Sequence, residues 1–193
     1  MNIEGIVLAA GFSSRTGKFK MEMLLAGKTL IERSVESLDK VCSKIIVVAG
    51  YKSERIKEIL KSYEKVEVVF NKEFEKGMFS SVKVGISQIK TEKFFLLPGD
   101  IPFVKEKVFR KLLSKQGDIV IPVFQSRKGH PVLINSSLII EILDESEDSN
   151  LKLFIDKKGF TTVEVQDEAI LIDIDTEEDY LNYSPSVKCC FEL

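Results

Sequence analysis

The sequence predicts an α/β fold, a sheet covered by helices on both faces. Short β-branched or aliphatic runs alternate with amphipathic stretches through the first half of the chain. The 193 residues are 44% hydrophobic and 30% charged, the balance of a globular protein that can bury a core. No internal repeat, low-complexity tract or Pro/Gly-rich linker divides them. Residues 3–9, 44–50, 66–70 and 94–97 are the first predicted strands, and residues 28–40, 53–62, 78–89 and 105–115 the helical stretches that follow them. Between residues 30 and 38, Leu30, Ile31, Val35 and Leu38 form one buried stripe, and the polar positions between them are expected to be solvent surface. Residues 118–123, 131–135, 162–165 and 169–174 are further predicted strands, less regularly spaced, so antiparallel pairs and a mixed sheet are expected there. A single domain over residues 1–183 is expected, with 184–193, which lack periodicity, as a C-terminal tail.

Charge and cysteine content narrow the function. With 28 basic and 30 acidic side chains the formal charge is −2, and no block of like charge exists to grip nucleic acid. Three cysteines and a single histidine make neither a disulfide framework nor a zinc site. A reducing cytoplasm fits that usage. The apolar run at residues 6–10 is too short for a membrane span and has no basic residue before it, so no membrane association is expected.

The first predicted strand runs into Gly11 and a stretch of small polar and basic residues. In open α/β sheets that place, at the carboxyl ends of the strands, is where ligands sit. Gly11 and Gly17 allow backbone N–H groups to approach an anion closely. Five residues separate Gly11 from Gly17-Lys18, and Phe19 stands where a P-loop has Ser or Thr, so this is no ATPase loop. The dinucleotide pattern G-x-G-x-x-G is absent too. By composition alone a phosphate-binding loop and an ordinary β-to-α connection both remain open.

Leu8-Ala9-Ala10-Gly11, Ser13, Arg15, Gly17 and Lys20, followed by Gly27 and Leu30-Ile31, resemble the L-A-A-G-x-S-x-R-M-G-x-x-K signature of the molybdenum-cofactor cytidylyltransferase-like (MobA-like) nucleotidyltransferases. Thr16 replaces the usual Met, and Leu24 a common proline. Further segments resemble the family in order: Asn71 through Phe74, Gly77, Ser80, Ser81 and Gly85; Pro98-Gly99-Asp100-Ile101-Pro102; Gly129-His130-Pro131; and Asp173-Ile174-Asp175-Thr176 with Asp179. The resemblance implies a three-layer Rossmann-like nucleotidyltransferase fold with a central, mostly parallel, mixed sheet.

It also implies roles. Leu8, Ala9, Ala10, Gly11, Ser13, Ser14, Arg15, Lys20, Asn71, Ser80, Ser81, Pro98 and Gly99 would bind a nucleotide. Arg15 would clamp the β- and γ-phosphates, since a guanidinium offers a fork matched to phosphate oxygens. Lys20 would meet the charge developing at the α-phosphate, and Asp100 with Asp175 would hold Mg2+, with Asp173 in reserve. His130 would bind the acceptor, and Asp179 is expected to be structural. The Ala9-Ala10 pair resembles the cytidylyltransferase form, whereas guanylyltransferase relatives carry L-A-G-G, so CTP is expected rather than GTP. The acceptor implied is the phosphate of a pterin cofactor, with a molybdoenzyme downstream. Two alternatives stay open: GTP or another NTP with a sugar phosphate or other small phosphorylated acceptor, and a non-catalytic nucleotide- or cofactor-binding carrier. From the residues alone, Asp100 could instead cap the next helix, and Asn71, Ser80 and Ser81 could be ordinary caps.

Overall fold

The computed structural model describes residues 2–12 and 19–183. In chain order the elements are β1 (Glu4–Ala9), the short hairpin β2 (Leu24–Leu25) and β3 (Lys28–Thr29), α1 (Leu30–Asp39), β4 (Lys44–Ala49), α2 (Ser53–Leu60), β5 (Val66–Phe70), α3 (Met78–Ile86), β6 (Lys93–Pro98) and α4 (Glu106–Leu113). There follow β7 (Ile119–Phe124), β8 (Arg127–Lys128), β9 (Val132–Asn135), α5 (Ile139–Asp144), α6 (Leu151–Lys158), β10 (Thr161–Glu164) and α7 (Glu177–Tyr183).

The main sheet has the order β10-β7-β9-β6-β1-β4-β5, with β8 paired to β7. β5, β4, β1 and β6 run parallel, and β9 enters antiparallel to both β6 and β7. The expected mixed sheet is therefore present, and β9 is the strand that makes it mixed. Alternation of side chains along each strand serves two helical layers. Val7, Val47 and Phe95 pack with α1, α2 and α4 on one face, while Ile6, Val48 and Leu96 pack with α3, α5 and α6 on the other.

Helix α1 shows how the sequence builds one such layer. Thr29 caps it through its side chain and receives Glu32 in return, a reciprocal capping box that starts the helix two residues inside the predicted stretch. Leu30, Ile31, Val35 and Leu38 are fully buried, as expected. The polar positions are not all solvent surface, however: Ser34 and Ser37 are buried as well. Their hydroxyls donate to the carbonyls of Gly99 and Pro102, at 2.8 and 3.4 Å, so partners remote in sequence compensate the burial.

Residues 169–174 also depart from expectation. They form a 3-10 turn, Glu168–Leu171, and then a strandless extended segment. The Asp167 side chain accepts from the Ala169 N–H and closes the turn locally, while the Ile170 carbonyl accepts from the His130 N–H at 2.9 Å instead of entering a ladder. Residues 184–193, including Cys189 and Cys190, lie outside the described residues, and Cys42 is a buried thiol pushed up to about 12 by that burial. Among the described residues no helix is long and apolar enough to cross a membrane.

Candidate active site

The ends of two strands and one extended segment converge on one point. β1 and β6 are parallel neighbours, with Leu8 opposite Pro98, so the Ala10-Gly11 and Gly99-Asp100 turns emerge side by side at the sheet's carboxyl edge. The Gly99 N–H donates to the Leu8 carbonyl at 2.9 Å, and a Cβ at Gly99 would stand 3.0 Å from that oxygen and 3.1 Å from Met21 Sδ. Glycine lets the two turns close without pushing either neighbour aside. Ser34 braces the same turn from below. The third end is the extended segment at residues 172–175, tied in by the Ile174 N–H donating to the Asp100 carbonyl at 2.9 Å.

At this junction the Lys20 ammonium donates to Asp100 Oδ2 and to Asp175 Oδ1, both at 2.8 Å. The lysine side chain is only 10% exposed and the carboxylates 23% and 35%. Burial pulls the Lys20 pKa down, but Asp100 and then Asp175 outweigh it and hold the ammonium above its ordinary value. An ammonium has three N–H donors, so one remains beyond the two carboxylates. Asp173 is exposed and makes no contact of this kind; burial, then the Asp175 and Asp100 charges, push its carboxyl up. Of the two late aspartates, it is Asp175 that the fold brings to Lys20.

Asp179 holds Asp175 in place. Its carboxylate accepts from the N–H groups of Asp175 and Thr176 and from the Thr176 hydroxyl, at 3.1, 2.8 and 2.7 Å, and these bonds, the hydroxyl's foremost, hold it below the usual range. This is a cap on α7, as expected of a structural residue.

Antiparallel β9 delivers His130. Leu96 lies opposite Val132, so the residues just before β9 come beside those just after β6. His130 is partly exposed, but its Nδ1 is buried with no hydrogen bond, and burial pushes the imidazole down to about 4 against a small opposing pull from Asp100. The unfolded chain takes up a proton near pH 6.5 that the folded chain refuses until about 4, so folding loses stability as the pH falls across that window, by at most roughly 3 kcal/mol. Melts of the wild type and His130→Asn between pH 7 and 4 are expected to diverge, the wild type losing more; parallel curves would reject the buried neutral imidazole.

The remaining predicted residues sit around this cluster. Leu8, Ala9 and Ala10 are buried, whereas Gly11 is exposed. Ser13, Ser14 and Arg15 lie outside the described residues. The Asn71 amide donates to the hydroxyls of Ser80 and Ser81, at 2.8 and 3.0 Å, and its oxygen accepts from the Glu73 N–H at 2.9 Å. These side chains order the loop before α3, whose first N–H groups stay at the sheet's carboxyl edge.

One cation escaped the sequence reading. Lys52 has a left-handed backbone, φ 54°, and its ammonium lies 5.4 Å from the ring centres of Phe19 and Tyr51, beside the Ala10 segment to which the Tyr51 N–H donates. A lysine in a turn carries no local sign of such a position. Among the described residues no group of three or more His, Cys, Asp or Glu surrounds one metal position. Two carboxylates facing a single cation fit magnesium, which takes one or two protein oxygens and completes its shell with phosphate and water.

The chain matches the family model described as the MobA-like NTP transferase domain over residues 5–163. It is 29% identical over 180 residues to the molybdenum cofactor cytidylyltransferase of Escherichia coli (strain K12), covering 93% of this chain and 94% of that protein. Its fold is shared with a nucleotidyl transferase from Methanothermobacter thermautotroptrophicus, at TM-score 0.81 and 24% identity, covering 94% of this chain and 95% of the other. It is shared too with a manganese complex of a Mycobacterium tuberculosis H37Rv protein, at TM-score 0.78 and 19% identity, covering 97% and 100%.

Proposed function

Since this chain belongs to the MobA-like NTP transferase family, we propose that it transfers CMP from CTP to the phosphate of a molybdenum-pterin cofactor and releases pyrophosphate. The observation that carries the chemistry is Lys20, buried, charged and held by Asp100 and Asp175 at the end of β1 and β6. The end-to-end similarity to the Escherichia coli cytidylyltransferase supports the choice of CTP and acceptor.

An oxygen of the acceptor phosphate forms a bond to the α-phosphorus, and the bond from that phosphorus to the bridging oxygen breaks, leaving with pyrophosphate. The third N–H of Lys20 faces the charge that grows on the α-phosphate oxygens. Arg15 and the backbone N–H groups of the Gly11 turn take the outer phosphates, and Lys52 adds positive charge beside them. Asp100 and Asp175 would hold Mg2+, which when bound neutralises phosphate charge. An ionised acceptor phosphate needs no strong base, in keeping with a His130 too weakly basic to act as one. His130 instead faces the acceptor beside Asp100.

Pyrophosphate release measured with CTP and GTP in parallel, each with and without molybdopterin, tests this. Release with CTP that depends on molybdopterin is expected. Preference for GTP, or turnover with a sugar phosphate in place of the pterin, overturns the substrate assignment. Tight CTP binding with no pyrophosphate from any acceptor overturns catalysis and leaves a carrier.

A further inference from the structure

The main sheet ends in β10 on one side and β5 on the other, and among the described residues no strand lies beyond either. The two edges differ in chemistry. β10 has Val163 buried and otherwise offers two threonines and a glutamate, polar residues of the kind that guard an edge. β5 offers three valines and a phenylalanine around one glutamate. Val66, Val68 and Val69 are only half-buried and Phe70 is 46% exposed, although the neighbouring β4 buries every residue but its first.

Register fixes which backbone groups of β5 face away from the sheet. The Ile45 N–H donates to the Lys65 carbonyl and the Asn71 N–H to the Ala49 carbonyl, both at 2.8 Å, so in this parallel ladder Lys65, Glu67, Val69 and Asn71 turn toward β4. Val66, Val68 and Phe70 turn outward. The Val66 N–H is taken locally by the Tyr63 carbonyl at 2.9 Å, which leaves the Val66 carbonyl and both backbone groups of Val68 and Phe70 at the open edge. An apolar ridge runs on from there toward the Gly11 turn. Phe70 and Phe74 are centred 6.4 Å apart, Phe74 and Phe12 5.0 Å, and Phe12 and Tyr51 5.7 Å, with Phe12 49% and Tyr51 37% exposed. Contiguous apolar surface beside a bare strand marks an interaction face.

We propose that a second copy of this chain pairs with β5, antiparallel and two-fold symmetric about Val68, so that one sheet runs through both subunits. The strand is self-complementary in that register. Val68 meets Val68 of the second copy and exchanges both backbone bonds with it, while each Phe70 N–H donates to the other copy's Val66 carbonyl and the two side chains pack on one face. Only outward-turned residues can bond, so a shift of one residue is excluded. A shift of two sets Val66 or Phe70 against a residue outside the strand. Charge agrees with the register: Lys72, two residues beyond β5, comes toward the second copy's Glu64, two residues before it, and the symmetry repeats the pair. The pairing is independent of the reaction the chain catalyses.

Sedimentation equilibrium of the full chain over a wide concentration range tests this, beside amide exchange read residue by residue by NMR. The expected result is a monomer–dimer equilibrium in which the Val68 and Phe70 amides slow as dimer accumulates, while those of Glu67 and Val69, already bonded to β4, are protected throughout. Val68→Pro removes an outward N–H that the monomer's ladder does not use and should weaken the dimer at least tenfold. Should that variant melt early, Phe70→Lys, at an exposed position, carries the same expectation. Lys72→Glu alone should weaken the dimer severalfold, and Glu64→Lys added to it should restore the wild-type affinity. A chain that stays monomeric at every concentration, Val68 and Phe70 amides that exchange alike in monomer and dimer, a dimer indifferent to Phe70→Lys, or a charge reversal that the second substitution does not rescue overturns the proposal. So does a dimer that Thr162→Pro in β10 breaks instead.

Discussion

Replacing Lys20 or Asp100 by Ala is expected to lower nucleotidyl transfer about 10³-fold, the scale seen when a preorganised charge facing a transition state is removed. The magnitude follows from burial. Lys20 is 10% exposed, so its charge acts through little water, and it is already oriented by two bonds of 2.8 Å before any substrate arrives. Each substitution also leaves its partners short of charge. Without Lys20, Asp100 and Asp175 face one another and repel; without Asp100, the ammonium keeps Asp175 alone. Because both carboxylates are partly exposed, water relieves much of that imbalance, and both variants should stay folded. Single-turnover rates beside thermal melts check this. Turnover within tenfold of the wild type, in a folded variant, would remove Lys20 and Asp100 from the chemistry.

Gly50→Ala is expected to destabilise the protein by about 1–3 kcal/mol and to raise the KM for the nucleotide, although Gly50 carries no functional group. A Cβ there would stand 2.5 and 2.6 Å from Cβ and Cγ of Phe74 and 2.7 Å from the Ala10 carbonyl oxygen. Two of those atoms sit at the root of a side chain and the third is backbone, so relief requires moving the Ala10 turn or the segment after Asn71. Both border the nucleotide site proposed here. Urea melts give the first quantity and initial rates the second. A variant within 0.5 kcal/mol of the wild type with an unchanged KM would show that the two segments are not locked together as described.

Much of this protein is legible without coordinates. Strand and helix periodicities are local, and they placed β1, β4, β5, β6 and the buried stripe of α1 correctly, because alternation and a three-to-four spacing are imposed by backbone geometry itself. The family motifs likewise pointed to Lys20, Asp100 and Asp175 together, but through resemblance, since nothing in their spacing measures a distance. The choice between Asp173 and Asp175 waited on the fold, which brings Asp175 to Lys20 and leaves Asp173, two residues earlier, exposed.

The sequence by itself determined the α/β class, the glycine turn at the end of the first strand and the chemical types available for binding a triphosphate. Tertiary structure alone decided that Ser34 and Ser37 are buried braces rather than surface, that residues 169–174 abandon the ladder, and that antiparallel β9 carries His130 to Asp100. In each case the deciding partner is a backbone group from a distant part of the chain, as when the Ser34 hydroxyl finds the Gly99 carbonyl. Local pattern records which side chains a residue could satisfy, and only long-range strand pairing selects which of them arrive.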